Sequence, residues 1–212
     1  MIRNLIWDVD GTLFDTYPAI SRAFAAALAD LGKSADLNWI DSLAKVSLSH
    51  CGSALAAKFD LDPNEVMLYF DRHYETASIK EQVPFPGVIQ ICEYVHGKGG
   101  VNVIITHRGR ESTAQLLMVH NLAPYFADCL TANDGYPKKP DPAAFEAMIA
   151  KHGFKREETL AIGDRDIDSL AGQAAGVRTC QIGSPRSSEV VPDIVIIDFA
   201  QLYELLLAEK SK

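Results

Sequence analysis

The chain has 212 residues, 48% of them hydrophobic, and a formal net charge of -8 at pH 7. It is long enough to bury a full core, either as one domain with an insertion or as two modest domains. The acidic balance and the absence of a Lys- and Arg-rich block argue against nucleic acid or a membrane surface as a partner. Four widely spaced cysteines without metal-type spacing indicate a reducing compartment. No apolar segment reaches membrane-spanning length and none resembles a leader, so we expect a cytoplasmic protein.

The most informative segment is residues 4–15, where an apolar run of strand length ends in two carboxylates followed directly by a glycine. Side chains alternate along a strand, so Asp8 and Asp10 point the same way and act on one small volume. Two close negative charges repel, and a divalent metal with oxygen ligands would stabilise them. An Asx-turn or a helix cap is the other common use of such a pair.

Residues 16–84 show only helical patterns, and we predict that they form an all-helical insert. The first helix begins at Thr16 or Tyr17, has Pro18 in its first turn and stops at Gly32. Further helical patterns cover residues 39–46, 53–59 and 62–74. The stiff segment 84–87, Pro-Phe-Pro-Gly, marks the return of the chain to its parent domain.

Strands and helices alternate after this point. The predicted strands are 101–106, 129–131, 159–162, 177–181 and 194–197, and the predicted helices are 88–96, 111–120, 141–151, 167–175 and a last one ending at Glu209. This order specifies an α/β fold, a doubly wound parallel sheet with helices on both faces. We therefore predict a core domain of residues 1–15 and 85–212 and an inserted helical domain of residues 16–84.

Polar residues follow three more of these strands. Thr106 ends one strand, Lys138 and Lys139 follow the next, and Asp164 ends a third with Asp168 one helical turn beyond. Ligand sites of such sheets lie beyond the carboxyl ends of the strands. These residues and the first carboxylate pair are thus the candidate site.

The four segments, in this order, resemble the signatures of the haloacid dehalogenase (HAD) superfamily of phosphohydrolases. Asp8-x-Asp10-Gly11-Thr12 is similar to the first signature and Thr106 to the second. The lysine directly before Pro140 and the Gly-Asp pair with a further Asp four residues on are similar to the third and fourth. The position of the insert, between the first and second signatures, resembles the C1-cap branch, which includes phosphoglycolate phosphatase-like enzymes and β-phosphoglucomutase.

Phosphate monoester hydrolysis explains these residue types. A carboxylate nucleophile divides one hard step into two, and we assign that role to Asp8. Asp10 is placed to act as general acid and then as general base. Thr106 and Lys139 would neutralise charge on the phosphoryl oxygens. Lys138 is the rival for the lysine role, but the family lysine precedes the proline, so we expect Lys138 to be solvated.

The carboxylates would repel a phosphate dianion unless a cation intervenes, and Mg²⁺ fits because it keeps waters and substrate oxygens among its ligands. We expect Asp8, the backbone carbonyl of Asp10 and the Asp164 side chain to bind it. Asp168 would reach the site directly, through water or through Lys139. Asp166 is predicted to cap its helix.

Other polar residues carry weaker expectations. His107, Arg108 and Arg165 are expected to make surface salt bridges or loop hydrogen bonds, and a phosphate contact is the alternative for each. Substrate choice is expected to depend on the insert, and an ordinary solvated role is the alternative for each candidate there. These candidates lie at the first helix start or in a polar stretch between helices: Thr16, Tyr17, Lys45, Ser47, Ser49 and His50.

The expected activity is that of a Mg²⁺-dependent phosphatase acting on a small phosphomonoester, as a monomer or small homo-oligomer. Mutases of this branch carry a His shortly after the first signature, whereas residues 17–24 hold none and Ile20 stands near that position. Haloacid dehalogenases lack the second Asp of the first signature and need no metal, so Asp10 and Asp164 argue against dehalogenase activity. A non-catalytic receiver-type signalling module is the third alternative. Such a module lacks a large helical insert and places its phosphorylated Asp at the end of a later strand, so the predicted insert disfavours it.

Overall fold

The computed structural model describes residues 1–208, and the predicted end of the last helix at Glu209 lies outside them. The chain divides into two compact units, one formed by Met1–Phe14 with Pro84–Lys212 and the other by Asp15–Val83. The predicted boundaries follow residues 15 and 84, and each lies one residue later in the chain than the observed boundary. The two units are called the core unit and the insert below.

The core unit contains a parallel sheet in the strand order β3-β2-β1-β4-β5-β6, which confirms the predicted doubly wound α/β class. Its strands are β1 Asn4–Trp7, β2 Val101–Ile105, β3 Phe126–Leu130, β4 Thr159–Gly163, β5 Arg178–Ile182 and β6 Ile194–Ile196. Helices α1 Tyr17–Asp30, α2 Leu37–Ala44, α3 Leu48–Phe59 and α4 Pro63–Glu75 belong to the insert. Helices α5 Val88–Gly97, α6 Arg110–Val119, α7 Ala143–His152, α8 Asp166–Ala174 and α9 Phe199–Ala208 belong to the core unit.

Strand β3 begins three residues earlier than predicted. The prediction missed its first half because Asp128 is a charged residue in a short apolar pattern. As the terminal strand of the sheet, β3 accommodates that charge: the Asp128 carboxylate lies 2.9 Å from His152 Nε2 and 2.7 Å from Lys151 Nζ of α7.

Neighbouring residues of β1 pack on opposite faces of the sheet. Ile6 joins a buried cluster with Phe145 of α7 and Ala171 of α8. Trp7 packs on Phe199 of α9, with ring centroids 5.8 Å apart. The two-residue period of the strand thus places helices on both faces of the sheet.

A buried polar network joins the central strands to the helix layer on the Trp7 face. The Asn102 side chain on β2 accepts a hydrogen bond from Trp7 Nε1 at 3.2 Å. Its amide group donates to the carbonyls of Cys92 and Tyr125 at 3.1 and 3.2 Å. Asn102 is 1% exposed and its bonds to Trp7 and Cys92 are buried, so these two groups lack ready access to water if the amide is removed.

Replacing Asn102 by Ala should lower the free energy of unfolding by about 2–4 kcal/mol, because a buried donor and a buried acceptor lose their partner and a part-buried acceptor loses a bond. Urea unfolding followed by Trp fluorescence measures this change. The matched control is Gln115→Ala on the exposed face of α6, which should change stability by less than about 0.5 kcal/mol. Equal effects of the two substitutions would show that the Asn102 network does not contribute to the free energy of unfolding.

The insert is built from α1 to α4 around its own apolar core. Phe24 of α1 stacks on Phe70 of α4 with ring centroids 4.0 Å apart. The side chains of Asp36, Ser47 and Asp62 accept amide hydrogen bonds at the starts of α2, α3 and α4. Helix α1 begins at Tyr17 with Pro18 in its first turn, as predicted.

Two further findings concern the described part of the chain. Its four cysteines, Cys51, Cys92, Cys129 and Cys180, are all free thiols. Within residues 1–208, no helix combines the length and the apolar character needed to cross a membrane.

Candidate active site

The candidate site residues of the core unit lie at the carboxyl ends of neighbouring strands. Asp8 follows β1, and its amide donates to Ile162 O of β4 at 2.9 Å, which continues the ladder by one residue. Thr106 follows β2, and its amide donates to Leu130 O of β3 at 2.9 Å. Asp164 follows β4. The strand order reverses between β1 and β4, so these residues flank the switch point where sheets of this class bind ligands.

Lys139 lies between two carboxylates from distant parts of the chain. Its Nζ is 2.6 Å from Asp8 Oδ1 and 2.5 Å from Asp168 Oδ1, and it donates to Ile105 O at 3.1 Å. The three charged side chains are at most 3% exposed. Each charge at this depth needs an opposite charge close by, and the arrangement supplies it.

Burial by itself favours the neutral amine of Lys139, but the carboxylates of Asp168 and Asp8 outweigh it and raise the pKa of Lys139 above its usual value. Burial raises the pKa of Asp168, and the Lys139 ammonium opposes that shift. We therefore describe the lysine as charged. With Asp164 included, three carboxylates face one ammonium and the cluster has an excess of negative charge.

The residues present fit a divalent metal ion. Asp8, Asp164 and Asp168 offer carboxylate oxygens that lie within 4.8 Å of one another. Asp8 Oδ2 is buried and has no hydrogen-bond partner among residues 1–208. A buried anionic oxygen without a donor and an excess of negative charge both favour a hard cation such as Mg²⁺. That Asp8 and Asp164 hold such an ion stays a prediction.

Asp168 is already engaged by protein groups on both of its oxygens. Oδ1 contacts Lys139, and Oδ2 accepts the backbone amide of Arg165 at 3.1 Å. Of the arrangements predicted for Asp168, the contact through Lys139 is the one that the structure contains. A direct metal bond from Asp168 stays a prediction.

Arg108 is a site residue that sequence reasoning missed. Its side chain is only 6% exposed, and Nη1 donates to Asp10 Oδ1 at 2.8 Å. The expected salt bridge is present, but it is largely buried and not on the surface. The missed signal is its spacing: Arg108 follows Thr106 by two residues at the same strand end, and its amide donates to Thr106 Oγ1 at 3.1 Å.

The structure also corrects the role of Asp166. The residue before α8 is Arg165, and Asp166 is the first residue of the helix rather than its cap. The Asp166 carboxylate accepts the amides of Arg186 and Ser187 at 2.8 to 3.1 Å and the Gln181 side chain at 3.0 Å. It thus fixes the loop after β5.

Lys138, Arg165 and His107 are the remaining polar residues of the second to fourth segments. Lys138 is exposed, as predicted for a solvated lysine. Arg165 is half-buried. His107 makes a loop hydrogen bond, as expected: its Nε2 accepts the backbone amide of Lys139 at 2.9 Å.

The six candidates for substrate selection lie in the insert, and Ser47 and Ser49 are 3.2 Å apart through their hydroxyls. Thr16 precedes α1, and Tyr17 is the first residue of that helix. Lys45 Nζ lies 5.4 Å from the centre of the Tyr17 ring and 2.7 Å from Asp41. His50 lies in the first turn of α3, where its amide donates to Ser47 Oγ at 3.0 Å. Their role in substrate selection stays a prediction.

Gly163 is required where β4 ends, because the Asp168 side chain packs directly on its Cα. A methyl group added at Gly163 would overlap the Cβ and the carboxylate of Asp168. The absence of a side chain at residue 163 therefore allows Asp168 to reach Lys139. This close approach gives a physical reason for a glycine directly before Asp164.

Gly163→Ala should displace Asp168 from Lys139 and lower the free energy of unfolding by about 1–3 kcal/mol through overpacking. Urea unfolding tests this expectation. The control is Gly97→Ala at the end of α5, where an added methyl group meets no atom within 4 Å. That change should raise stability by about 0.5–1 kcal/mol, because Ala loses less conformational freedom in a helix. A neutral Gly163→Ala variant would contradict the packing account.

The sheet and the buried charge cluster at its switch point define an α/β protein with a candidate active site. The sequence model described as haloacid dehalogenase-like hydrolase matches residues 5–182. The phosphoglycolate phosphatase of Photobacterium profundum is 31% identical over an alignment of 227 positions, which covers 97% of this chain and 96% of that protein. The pyrophosphatase PpaX of Halalkalibacterium halodurans is 27% identical, covering 97% of each. A hydrolase from Streptococcus pneumoniae has a TM-score of 0.66 and 28% identity, covering 86% of this chain and 94% of that one.

The chain belongs to the haloacid dehalogenase-like hydrolase family. The resemblance drawn from the four signatures is thereby confirmed, and so is the predicted enzyme class, a HAD-like phosphatase.

Proposed function

We propose that this protein is a Mg²⁺-dependent phosphatase that hydrolyses a small phosphorylated metabolite through an aspartyl-phosphate at Asp8. The observation that carries the proposal is the state of the Asp8 carboxylate. Oδ1 is held by Lys139 at 2.6 Å, while Oδ2 is buried without a hydrogen-bond partner among the described residues. One oxygen is fixed and the other is available for a metal or a phosphorus atom.

In the first half-reaction a carboxylate oxygen of Asp8 attacks phosphorus and the bond from phosphorus to the leaving oxygen breaks. Asp10, as a carboxylic acid, donates its proton to that leaving oxygen. The hydrogen bond from Arg108 to Asp10 Oδ1 at 2.8 Å would fix the orientation of the carboxyl group for this transfer.

In the second half-reaction water attacks phosphorus of the aspartyl-phosphate, and the Asp10 carboxylate accepts a proton from that water. The bond between phosphorus and Asp8 breaks, inorganic phosphate leaves and both carboxyl groups return to their starting state. One residue serves as acid and then as base, so the site needs no further titrating group for turnover.

Two groups would bind the transferring phosphoryl oxygens. The Thr106 hydroxyl accepts the Arg108 amide and keeps its own O–H as a donor. The Lys139 ammonium supplies positive charge beside Asp8. Bound Mg²⁺, held by Asp8, Asp164 and the backbone carbonyl of Asp10, would lower the repulsion between the carboxylates and the phosphate.

The first substrate to test is 2-phosphoglycolate, since a relative of 31% identity over nearly the whole chain is named phosphoglycolate phosphatase. Pyrophosphate is the second, because another relative is named a pyrophosphatase. A β-phosphoglucomutase-like phosphotransfer is disfavoured by Ile20 near the position of the mutase histidine. A cytoplasmic location agrees with the free thiols of the four cysteines.

The purified protein should release inorganic phosphate from members of a phosphometabolite panel when Mg²⁺ is present and not when EDTA is added. The panel should include 2-phosphoglycolate, pyrophosphate and β-glucose 1-phosphate. Interconversion of glucose phosphates without phosphate release would favour the mutase alternative. Failure to hydrolyse any phosphate at any Mg²⁺ concentration would contradict the proposed function.

Asp8→Asn should reduce turnover of an aryl phosphate to background at every metal concentration, because an amide is not a competent nucleophile toward phosphorus. Steady-state release of nitrophenolate measures the effect. Asp198→Asn is the matched control, since the exposed Asp198 only caps the amide of Gln201 and Asn retains that bond. Appreciable turnover by Asp8→Asn would refute the nucleophile assignment.

Asp10→Asn should let a phosphoenzyme accumulate with an aryl phosphate, because a good leaving group departs without an acid while hydrolysis still needs the base. Mass spectrometry of the acid-quenched variant should show one added phosphoryl group, located on the peptide that contains Asp8. Phosphorylation of another residue, or none in a variant that retains a burst of nitrophenolate, would exclude the covalent route through Asp8.

A further inference from the structure

Lys139 lies in a segment that secondary structure does not fix. Residues 135–142, between β3 and α7, contain no helix and no strand. The ammonium of Lys139 nevertheless has to reach Asp8 and Asp168 at 2.6 and 2.5 Å. Its backbone therefore needs an anchor on the rigid part of the core unit.

His107 supplies a contact of this kind. It lies directly after Thr106 at the end of β2, and its Nε2 accepts the Lys139 amide at 2.9 Å. An amide can only donate, so Nε2 must carry a lone pair and the ring proton must be on Nδ1. An imidazolium ring, with protons on both nitrogens, could not accept this bond.

The surroundings of His107 keep its ring neutral. Burial and the nearby cations Lys139, Arg165 and Lys138 lower the pKa of His107 to about 4, against a weaker opposing effect of Asp168. The side chains that face it from the third and fourth segments are thus mainly positive. The accepting form of the ring is the one present at neutral pH.

We propose that His107 is a positioning residue that holds the Lys139 backbone, and through it the ammonium, between Asp8 and Asp168. The inference rests on the proposed function, since its effect on turnover needs Lys139 to act on the phosphoryl group. It also gives the segment 106–108 one shared role: Thr106 faces the phosphate, Arg108 holds Asp10 and His107 holds Lys139.

The test compares two amide replacements that differ in reach. In His107→Gln the carbonyl oxygen extends to about the position of Nε2 and can accept the Lys139 amide. In His107→Asn the carbonyl reaches only the position of Nδ1 and cannot. We expect His107→Asn to lower kcat roughly 10- to 100-fold with a smaller change in KM, as for other displaced catalytic groups. His107→Gln should retain most of the kcat of the wild-type protein.

The outcomes separate this proposal from the proposed function. Wild-type protein that hydrolyses no phosphate would contradict the proposed function, whereas active wild type with equally active Gln and Asn variants would overturn only the role of His107. Equal losses in both variants, with unchanged thermal unfolding, would also overturn it, because the acceptor at the Nε2 position would then not matter.

A measurement on the wild-type protein is independent of variant folding and of activity. Imidazole ¹⁵N chemical shifts should show His107 protonated at Nδ1 and unprotonated at Nε2 at pH 7. A proton on Nε2 would overturn the proposal, since that nitrogen could not accept the Lys139 amide.

The pH dependence of stability provides a further readout. The pKa of His107 lies near 4 in the folded chain, below the usual 6.5, so the unfolded state binds the proton first. The contribution of the neutral His107 ring to the free energy of unfolding should be fully present above pH 6.5 and should decline as the pH falls toward 4. His107→Gln should lack this component, and an unchanged pH profile in that variant would show that the surroundings of His107 do not keep its ring neutral.

Discussion

The buried contact of Lys139 with Asp8 and Asp168 is the interaction on which the site depends. The two carboxylates are 131 and 29 residues away from the lysine in sequence, and all three side chains are almost fully buried. Removing the lysine would leave two carboxylates without an opposite charge in a medium that solvates them poorly. The sheet makes the contact possible, because β1 and β4 are neighbours and deliver Asp8 and the start of α8 to the same edge. The third partner comes from a loop, which is why its anchoring matters.

The charges around Lys139 also give a physical reason why this site suits the hydrolysis of a phosphate with the help of a metal ion. Three carboxylates and one ammonium leave excess negative charge at the switch point, and one Asp8 oxygen there has no hydrogen-bond partner among residues 1–208. A site of that charge would repel phosphate unless a divalent cation were bound, so metal binding and phosphate binding are coupled by electrostatics. Membership of the haloacid dehalogenase-like hydrolase family gives the enzyme class, while the charge arrangement gives the physical reason for the class of substrate that we propose.

Sequence patterns predicted the parts of this structure that depend on periodicity and on strand ends. The apolar strand before Asp8, the alternation after residue 100 and the helical insert follow from such patterns, and the site residues follow because parallel strands end at one edge. Contacts between loops were not predictable in this way. The pairing of Arg108 with Asp10 and of Asp166 with the amides of residues 186 and 187 joins segments whose approach depends on tertiary packing. Strand β3 was predicted too short because the charge of Asp128 is satisfied by α7, which no local pattern indicates.

A crystal structure with Mg²⁺ and beryllofluoride, which mimics an acyl phosphate on a carboxylate, would show which residue is phosphorylated. We expect beryllofluoride bonded to Asp8, with Mg²⁺ held by Asp8 and Asp164 and with the Lys139 ammonium and the Thr106 hydroxyl in contact with the fluorides. Beryllofluoride on another carboxylate, or a Lys139 side chain directed away from it, would contradict the proposed roles of Asp8 and Lys139.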